Sequence, residues 1–432
     1  MKHRIPTLSK HYTLRVPSEI RQAQMIFSER SDKHLVDVIN VAIGNVSLPL
    51  HPKMFKKLKS IGINTFKDGV VKYTPSNGIK NARMALLKII SADIGFKLDN
   101  IYSQITDGGS QAMELMLLGV CGPNSSKPLM IFEPTYTNYI DFCNRLSIPL
   151  ISYERSINSN GNFKDLDISI LENIIQTKQP SAILIIPYDN PTGLLLKKKD
   201  LISIAKLCVK YNIWLVSDEA YRGLSYKNHH DSVSIWSLSN KIVPDIEGRR
   251  ISIESSSKVW NACGLRIGGL VTDNKRFNEK SVYEYTANLS ANSIGQEIFG
   301  VLVKERTEEL KKWMYNQKEY YFKLLKQLRT DLLKEIPGLI VSDPESSIYI
   351  MIDFKNIVNE KFDSKDFVQF CASKGRVEYK DKLYTLLLAP LQNFYLKSNR
   401  GKTQLRIAMV ESPSHIKKIP IVLKSLLFTY FR

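Results

Sequence analysis

Short runs of apolar residues alternate with amphipathic segments through the middle of the chain. The runs are mainly apolar instead of alternating between apolar and polar, which is typical of strands that are covered on both faces. We predict strands at residues 129–132, 182–186, 213–216, 251–253 and 269–272.

One amphipathic segment lies between the second and third of these runs. In residues 198–211, the apolar positions Leu201, Ile204, Ala205 and Cys208 fall at i, i+3, i+4 and i+7, on one face of a helix. A strand, a helix and a strand at this spacing form a βαβ unit. The sequence therefore predicts an α/β fold, with a mostly parallel sheet and helices on both faces.

A second region begins near residue 300 with one long helix, predicted at 305–335 and ended by Pro337-Gly338. Shorter strand-like runs follow at 347–352 and 404–410. We expect a smaller α+β domain here and an irregular N-terminal segment of about 45 residues packed against it. The expected division is an N-terminal arm that forms part of the small domain, a large domain, and a small C-terminal domain with the long linking helix (1–48, 49–304 and 305–432).

The net charge is the one unusual feature of the composition. The 432 residues include 61 Lys+Arg and 42 Asp+Glu, a formal net charge of +19. Such a charge favours either a nucleic-acid binder or an enzyme of anionic small molecules. The basic residues are scattered, and runs such as 56–59 and 197–199 are too short for a basic tail. We therefore interpret most of the charge as solvated surface.

Cysteine and histidine usage indicates neither disulfides nor a metal. The five cysteines are odd in number, far apart and without a CxxC pair, and the seven histidines show no metal-ligand spacing. No apolar stretch approaches the roughly 18 residues of a membrane span, and no apolar segment follows the basic N-terminus as in a secretory signal. We expect a reducing, cytoplasmic location, no metal and no membrane association.

The chemistry centres on Lys258, which follows directly on a predicted strand. Three serines, Ser255 to Ser257, precede it, and Arg266 comes eight residues later. A lysine at a buried strand end is costly unless it is neutral or covalently used. Hydroxyls and an arginine suit a phosphate monoester. Together they suggest pyridoxal phosphate, although a surface lysine in a polar turn explains this one segment equally well.

Three more segments lie in order along the chain, each at the end of a predicted strand or the start of a helix. Gly109 and Ser110 open an apolar helical stretch, where backbone N–H groups can bind phosphate. Asn190 and Asp218 each follow a predicted strand, at the sheet edge where α/β proteins bind ligands. Taken singly, these segments are a plain turn, a simple loop and a helix start. Taken with Lys258, they form a specific pattern.

The joint pattern resembles the class I/II aminotransferases, the aspartate-aminotransferase-like superfamily of pyridoxal-phosphate fold type I, from about residue 40 to 410. The densest matches are 190–193, 218–221 and Ser255-x-x-Lys258 with Arg266. The resemblance implies a mostly parallel sheet of seven strands, pyridoxal 5'-phosphate as cofactor, and an activity in amino acid metabolism and biosynthesis. Amino acid and 2-oxo acid substrates follow from it.

The resemblance also implies a role for each matching residue. Lys258 would form the internal aldimine and act as the base for the 1,3-proton shift. Asp218 would pair with the pyridine nitrogen, and Tyr221 would bind the ring O3′. The other cofactor-binding residues would be Gly109, Ser110, Ser255 and Arg266 at the phosphate, Tyr136 stacked on the ring, and Asn190 at O3′.

The resemblance also implies residues that bind the substrate and one residue that the partner subunit contributes. Arg406 would bind the substrate α-carboxylate, with Asn190 beside it and Gly44 adding a backbone contact. Tyr73 matches a tyrosine that this family contributes across a dimer interface to the phosphate of the partner's cofactor. The resemblance therefore implies a homodimer in which each active site needs two chains.

The predicted reaction is transamination by a ping-pong mechanism. A lyase, racemase or oxidase acting on an amino acid would share every one of these residues, because the cofactor supplies the chemistry. A basic, nucleic-acid-binding regulator on the same scaffold is the alternative from another class. About 40 residues before the match leave little room for a helix-turn-helix, so we expect no nucleic-acid partner.

Overall fold

A seven-stranded mixed sheet forms the centre of the molecule. The computed structural model describes residues 6–226, 233–397 and 399–431. The strands are β1 Val36–Asn40, β2 Tyr102–Asp107, β3 Leu129–Glu133, β4 Leu150–Glu154, β5 Ala182–Ile185, β6 Trp214–Asp218, β7 Arg250–Ser255, β8 Ile267–Thr272, β9 Ile340–Val341, β10 Tyr349–Asp353, β11 Val377–Tyr379, β12 Lys382–Leu387, β13 Ala389–Pro390 and β14 Gln404–Ala408.

Helices connect most of these strands, and strands and α-helices alternate from β2 to β6, through residues 102–218. The α-helices are α1 Lys10–Thr13, α2 Glu19–Glu29, α3 Pro52–Asn64, α4 Lys80–Ile94, α5 Gly108–Val120, α6 Thr137–Leu146, α7 Ile168–Lys178, α8 Lys198–Lys210, α9 Lys275–Tyr285, α10 Ser293–Gly300, α11 Thr307–Glu335, α12 Ser364–Ser373, α13 Pro413–Ile416 and α14 Ile419–Tyr430. Every predicted strand and helix overlaps one of these elements. No helix in the described ranges has the length and apolar character needed to cross a membrane.

The large sheet has the strand order β2-β8-β7-β6-β5-β3-β4. Only β8 runs antiparallel to its neighbours, and the other six strands are parallel to one another. This confirms the predicted α/β fold with a mostly parallel sheet of seven strands. Because successive side chains of a strand point to opposite faces, one hydrophobic cluster contains Met130 and Leu215 and another contains Ile131 and Val216. Both faces are therefore buried, which explains the mainly apolar strands.

Two smaller sheets lie outside the large one. One has the order β1-β12-β11 and the other β13-β14-β10-β9. Strand β1 pairs in parallel with β12, and α2 packs against α12. The N-terminal segment thus joins elements near the C-terminus. The division into 1–48, 49–304 and 305–432 stays a prediction.

The expectation of an irregular N-terminal segment was wrong. Residues Glu19–Glu29 form a helix whose apolar positions Ile20, Ala23 and Phe27 contribute to the core. This spacing is that of one helical face, so the signal was present in the sequence. It is short and lies among charged residues, which made it easy to miss.

The topology brings several chain segments to one edge of the large sheet. The parallel strands β2, β5, β6 and β7 all end there, and β8 begins there, with Asp107 opposite Ile267 and Ser255 opposite Gly268. Open α/β sheets bind ligands at this edge. The loops and helix starts that carry the predicted site residues are therefore neighbours in space.

Candidate active site

A cavity of about 340 Å³ lies at this edge of the large sheet. Eleven of the twelve predicted site residues line it. They are Gly44, Gly109, Ser110, Tyr136, Asn190, Asp218, Tyr221, Ser255, Lys258, Arg266 and Arg406. The twelfth, Tyr73, is 79% exposed and is not part of the cavity wall.

Lys258 occupies the turn that follows β7. Its Nζ donates a hydrogen bond to the carbonyl oxygen of Gly44, so it reaches across the cavity to the loop after β1. The turn is stabilised by a 3.0 Å hydrogen bond from the Ser257 N–H to Ser255 Oγ. The lysine is only partly buried, and it lines the cavity.

Asp218 ends β6 and is 3% exposed. Burial raises the pKa of its carboxyl group from 3.8 to about 6, although hydrogen bonds from Tyr139 and the Ala220 N–H act in the opposite direction. Tyr139 Oη donates to Oδ2 at 2.8 Å, and the Ala220 N–H donates to Oδ1 at 3.1 Å. Within the described residues no cation forms an ion pair with this carboxylate, so a positive charge placed in the cavity beside it would be stabilised.

Two glycines let the start of α5 approach Arg266 and β8 closely. Gly108 has a φ of +76°, and a Cβ atom there would lie 2.4 Å from Arg266 Nη2. A Cβ atom on Gly268 would lie 2.4 Å from the carbonyl carbon of Gly108. The Arg266 guanidinium group therefore lies beside Gly108, the first residue of α5. Both features favour an anion.

Arg406, on β14, is 3% exposed. Its Nη1 donates to Asn190 Oδ1 at 2.8 Å and its Nη2 donates to the Ala42 carbonyl oxygen at 2.6 Å. Its guanidinium carbon lies 4.4 Å from the ring centroid of Tyr349. The buried Nε has no hydrogen-bond partner within the described residues. An unsatisfied N–H on a buried guanidinium that lines a cavity fits the binding of a carboxylate.

Aromatic side chains complete the wall. Tyr221 Oη and Tyr349 Oη lie 2.6 Å apart and share a hydrogen bond. Burial raises the pKa values of Tyr136 and Tyr221 above their ordinary value, so both phenols are neutral at physiological pH. Gly44 lies against Tyr349, because a Cβ atom on this glycine would be 2.1 Å from the phenol oxygen.

Reasoning from the sequence missed three contributions. Tyr139 lies one helical turn after Tyr136 on α6, a spacing that could have suggested a second aromatic at the site. Tyr349 comes from a strand 128 residues away from Tyr221, and no local pattern indicates that contact. The start of α2, including Arg21, also lines the cavity, which became visible only with the fold.

Within the described residues no group of three or more histidines, cysteines or acidic side chains could bind a metal ion. The site offers hydroxyls, amides, guanidinium groups and one lysine instead. This donor set suits an organic anion.

Comparison with known proteins agrees with this geometry. Residues 36–409 match the family model described as aminotransferase class I and II. The chain belongs to the class I and II aminotransferases. Nothing in the comparisons favours a lyase, racemase or oxidase.

Individual relatives are distant. The chain is 22% identical over 371 residues to the probable kynurenine–oxoglutarate transaminase of Saccharomyces cerevisiae, covering 81% of this chain and 78% of that one. It is 23% identical over 356 residues to an aspartate aminotransferase of Sulfolobus acidocaldarius, covering 81% and 83%. The solved structure of a Pyrococcus horikoshii kynurenine aminotransferase superimposes with a TM-score of 0.80 at 20% identity, covering 98% of both chains. That likeness establishes the fold.

Aminotransferases of this family use pyridoxal 5'-phosphate, and the residues of this chain fit it. The cradle formed by Gly108, Gly268 and Arg266 leaves no space for a side chain and suits a phosphate. The buried carboxylate of Asp218 suits a protonated ring nitrogen, and Lys258 supplies the amine. The protein is thus a pyridoxal-phosphate-dependent aminotransferase.

Proposed function

We propose that the cavity around Lys258 transfers the amino group of an amino acid to a 2-oxo acid, with a separate role for each group that lines it. The observation that supports the proposal is the convergence of Lys258, Asp218 and Arg406 from three distant segments on one cavity. Bound pyridoxal phosphate supplies an aldehyde that condenses with amines and a ring that withdraws electrons from the substrate Cα.

Lys258 is proposed to remove the proton from the substrate Cα, because its amine lies in the cavity and contacts the opposite wall at Gly44. Asp218 is proposed to keep the ring nitrogen protonated, since its carboxylate is buried and forms no ion pair in the part of the chain that the structure describes. Tyr221 and Asn190 are proposed to donate hydrogen bonds to the ring O3′. Tyr136 is proposed to pack on the ring face.

The anionic ends of the two ligands have separate proposed sites. Ser255, Arg266, Gly109 and Ser110 bind the phosphate, at the start of α5. Arg406 binds the α-carboxylate through its unsatisfied Nε side, and Asn190 fixes the guanidinium orientation at 2.8 Å. A carboxylate fixed in this way orients the Cα–H bond towards Lys258, which is catalysis by positioning. Gly44 contributes to the carboxylate pocket through its backbone.

The experiment separates transamination from other reactions at the same residues. Purified holoenzyme is mixed with an amino acid alone, and the absorption spectrum is recorded before and after a 2-oxo acid is added. Ping-pong transamination predicts a spectral change that is complete without the 2-oxo acid and is reversed by it. Turnover that continues without any amino acceptor would contradict the proposal and favour a lyase, racemase or oxidase.

We further propose a dicarboxylic 2-oxo acid as amino acceptor. Two observations support this choice: the yeast relative is named a kynurenine–oxoglutarate transaminase, and Arg21 lines the cavity, where its side chain forms one hydrogen bond within the described residues, of 3.2 Å to Gln24 Oε1. Arg266 and Arg406 are assigned to the phosphate and the α-carboxylate, so Arg21 is available for a second carboxylate. In Arg21→Gln, the KM for 2-oxoglutarate should rise about tenfold while the KM for pyruvate stays unchanged. Equal effects on both acids would contradict the choice.

The proposed assembly is a homodimer with shared sites. Tyr73 is 79% exposed, and Val70 and Val71 beside it are 48% and 52% exposed, so this segment presents apolar surface to a second chain. In the dimer, the partner subunit's Tyr73 would reach the phosphate site. Mixing Tyr73→Phe chains with inactive Lys258→Ala chains should then raise activity above that of either variant alone, because one site of each mixed dimer is intact. No gain on mixing would contradict the sharing.

We also propose a cytoplasmic location. The five cysteines form no disulfide with one another, and free thiols are typical of a reducing compartment. Fractionation of cells that produce the protein tests this directly.

A further inference from the structure

Tyr349 lies where the four-stranded sheet meets the active-site cavity, and the proposed amino transfer gives it no role. It is the first residue of β10, is 2% exposed and lines the cavity. Its Oη lies 2.6 Å from Tyr221 Oη, and the two rings meet edge to face with their centroids 5.5 Å apart. Its hydroxyl therefore contacts a residue that is proposed to bind the cofactor.

The backbone and the side chain of Tyr349 are both held in place. Gly193 has a φ of +74°, and a Cβ atom there would lie 2.5 Å from the Tyr349 carbonyl oxygen. Two residues earlier in the chain, Ser347 Oγ donates a 2.8 Å hydrogen bond to the Asp189 carbonyl oxygen. The phenol oxygen lies against Gly44, where a Cβ atom would not fit. The position of the hydroxyl is thus fixed by two loops of the large sheet.

The direction of the hydrogen bond between the two phenols follows from their protons. A neutral phenol can donate one hydrogen bond and can also accept. Tyr221 is proposed to donate its proton to the ring O3′, so its 2.6 Å contact with Tyr349 requires Tyr349 to be the donor. Within the residues that the structure describes, the Tyr349 hydroxyl forms no other hydrogen bond. Its proton is therefore available for Tyr221.

The surroundings of this pair of phenols keep a constant charge near neutral pH. Burial raises the pKa values of Tyr136 and Tyr321, two further tyrosines close to Tyr349, so both are neutral. The guanidinium group of Arg406, which packs on the Tyr349 ring, is a permanent cation. Lys258, which contacts Gly44, belongs to the chromophore that the experiment below titrates.

We propose that Tyr349 is a positioning residue for the bound cofactor: its hydroxyl donates to Tyr221 and thereby directs the single Tyr221 hydroxyl proton to the ring O3′. The inference rests on the proposed function, which assigns Tyr221 to O3′. A hydroxyl that accepts a hydrogen bond is itself a stronger donor. The two phenols in series therefore stabilise negative charge on O3′ and favour the form of the bound cofactor that has lost a proton.

The test is a pH titration of the visible absorption of the holoenzyme, since the absorption of the bound cofactor depends on its protonation. Tyr221→Phe removes the donor to a charged oxygen and should raise the apparent pKa of the cofactor by about 1 to 2. Tyr349→Phe only weakens that donor and should raise the apparent pKa by about 0.5. The band itself shows that each variant is folded and holds the cofactor.

Two comparisons show whether Tyr349 acts through Tyr221. In the Tyr221→Phe background, Tyr349→Phe should cause no further rise of the apparent pKa. Tyr395→Phe is the matched control, because this buried phenol donates a 2.8 Å hydrogen bond to Gln404 Oε1 but does not line the cavity. That variant should leave the apparent pKa of the cofactor unchanged.

Tyr349→Phe keeps the ring that packs on Arg406. The KM for the amino acid should therefore stay within about twofold of the wild-type value. A much larger rise in KM without a change in the titration would mean that the hydroxyl acts on Arg406 instead, and would overturn the inference.

An unchanged or lowered apparent pKa in Tyr349→Phe, with the expected rise in Tyr221→Phe, would overturn this inference and leave the proposed amino transfer intact. An equal rise from Tyr349→Phe with and without the Tyr221 hydroxyl would also overturn it, because the effect would then not pass through Tyr221. No rise in Tyr221→Phe would overturn both the inference and the O3′ assignment. Amino transfer itself is measured separately, by the spectral change with an amino acid alone.

Discussion

Replacing Asp218 by asparagine should make the cofactor-free protein more stable at neutral pH while abolishing most of its activity. The carboxylate is 3% exposed and has no ion-pair partner within the described residues. Its charge is therefore unfavourable until a protonated ring nitrogen occupies the cavity. Asparagine resembles the protonated carboxyl group in shape, and Tyr139 Oη can change from donor to acceptor for the new amide.

The size of the effect follows from the pKa. Burial raises the pKa of Asp218 from 3.8 to about 6. A difference of one between the folded and unfolded pKa values corresponds to about 1.4 kcal/mol of stability. The ionised carboxylate therefore costs the folded, cofactor-free protein about 3 kcal/mol. The asparagine variant avoids this cost.

The sign of the pH dependence is fixed by the direction of the shift. Because the folded protein binds the Asp218 proton more tightly than the unfolded chain does, the wild type loses stability as the pH rises from about 4 to 6. Above that window the loss is complete. The advantage of Asp218→Asn should be about 3 kcal/mol at pH 8 and about half of that at pH 5.

Urea unfolding of both cofactor-free proteins at pH 8 and pH 5 measures the difference. Asp273→Asn is the control, because the Asp273 side chain is 5% exposed but forms a 2.7 Å ion pair with Arg250. Removing that carboxylate leaves a buried cation unpaired and should destabilise the protein by roughly 3–5 kcal/mol. The reasoning is refuted if Asp218→Asn is no more stable than the wild type at pH 8, or if its advantage is the same at both pH values.

Three further substitutions test the wall of the active-site cavity. Gly44→Ala places a Cβ atom 2.1 Å from Tyr349 Oη, so kcat/KM should fall at least about tenfold. Gly62→Ala is the control, because the space around Gly62 is open, and it should stabilise the protein by roughly 0.5–1 kcal/mol in thermal unfolding. An unchanged kcat/KM in Gly44→Ala, or a destabilised Gly62→Ala, would contradict the packing. Tyr139→Phe removes a 2.8 Å hydrogen-bond donor to Asp218. The pKa of that carboxyl group should therefore rise, and the dissociation constant of the cofactor should increase by about tenfold. An unchanged dissociation constant would mean that the hydrogen bond contributes nothing to cofactor binding. Arg406→Lys loses the planar guanidinium group and should lower kcat/KM for amino acids by about ten- to a hundredfold in steady-state kinetics. Titration with the cofactor should show an unchanged cofactor affinity.

Much of the fold was predictable because its signals are local. The apolar strands 129–132 and 182–186, and the amphipathic helix that begins at Lys198, appear as periodic patterns in short windows. The residues at the strand ends follow from the same reading, since parallel strands place their carboxyl ends at one edge. Lys258 and Asp218 were therefore placed together without knowledge of the tertiary structure.

Contacts between distant segments were not predictable in this way. The hydrogen bond between Tyr221 and Tyr349 joins the large sheet to a strand of the four-stranded sheet, and the donation from Lys258 to Gly44 joins β7 to the loop after β1. Both depend on how the sheets pack, which a single sequence does not encode in any short window.

The most direct test of the central claim is to locate the covalent bond between the protein and its cofactor. Holoenzyme is reduced with borohydride and digested, and the peptide that carries the cofactor mass is identified by mass spectrometry. The account predicts one labelled peptide, with the label on Lys258, and no label in Lys258→Ala. A label on another lysine, or an equally labelled Lys258→Ala protein, would contradict it.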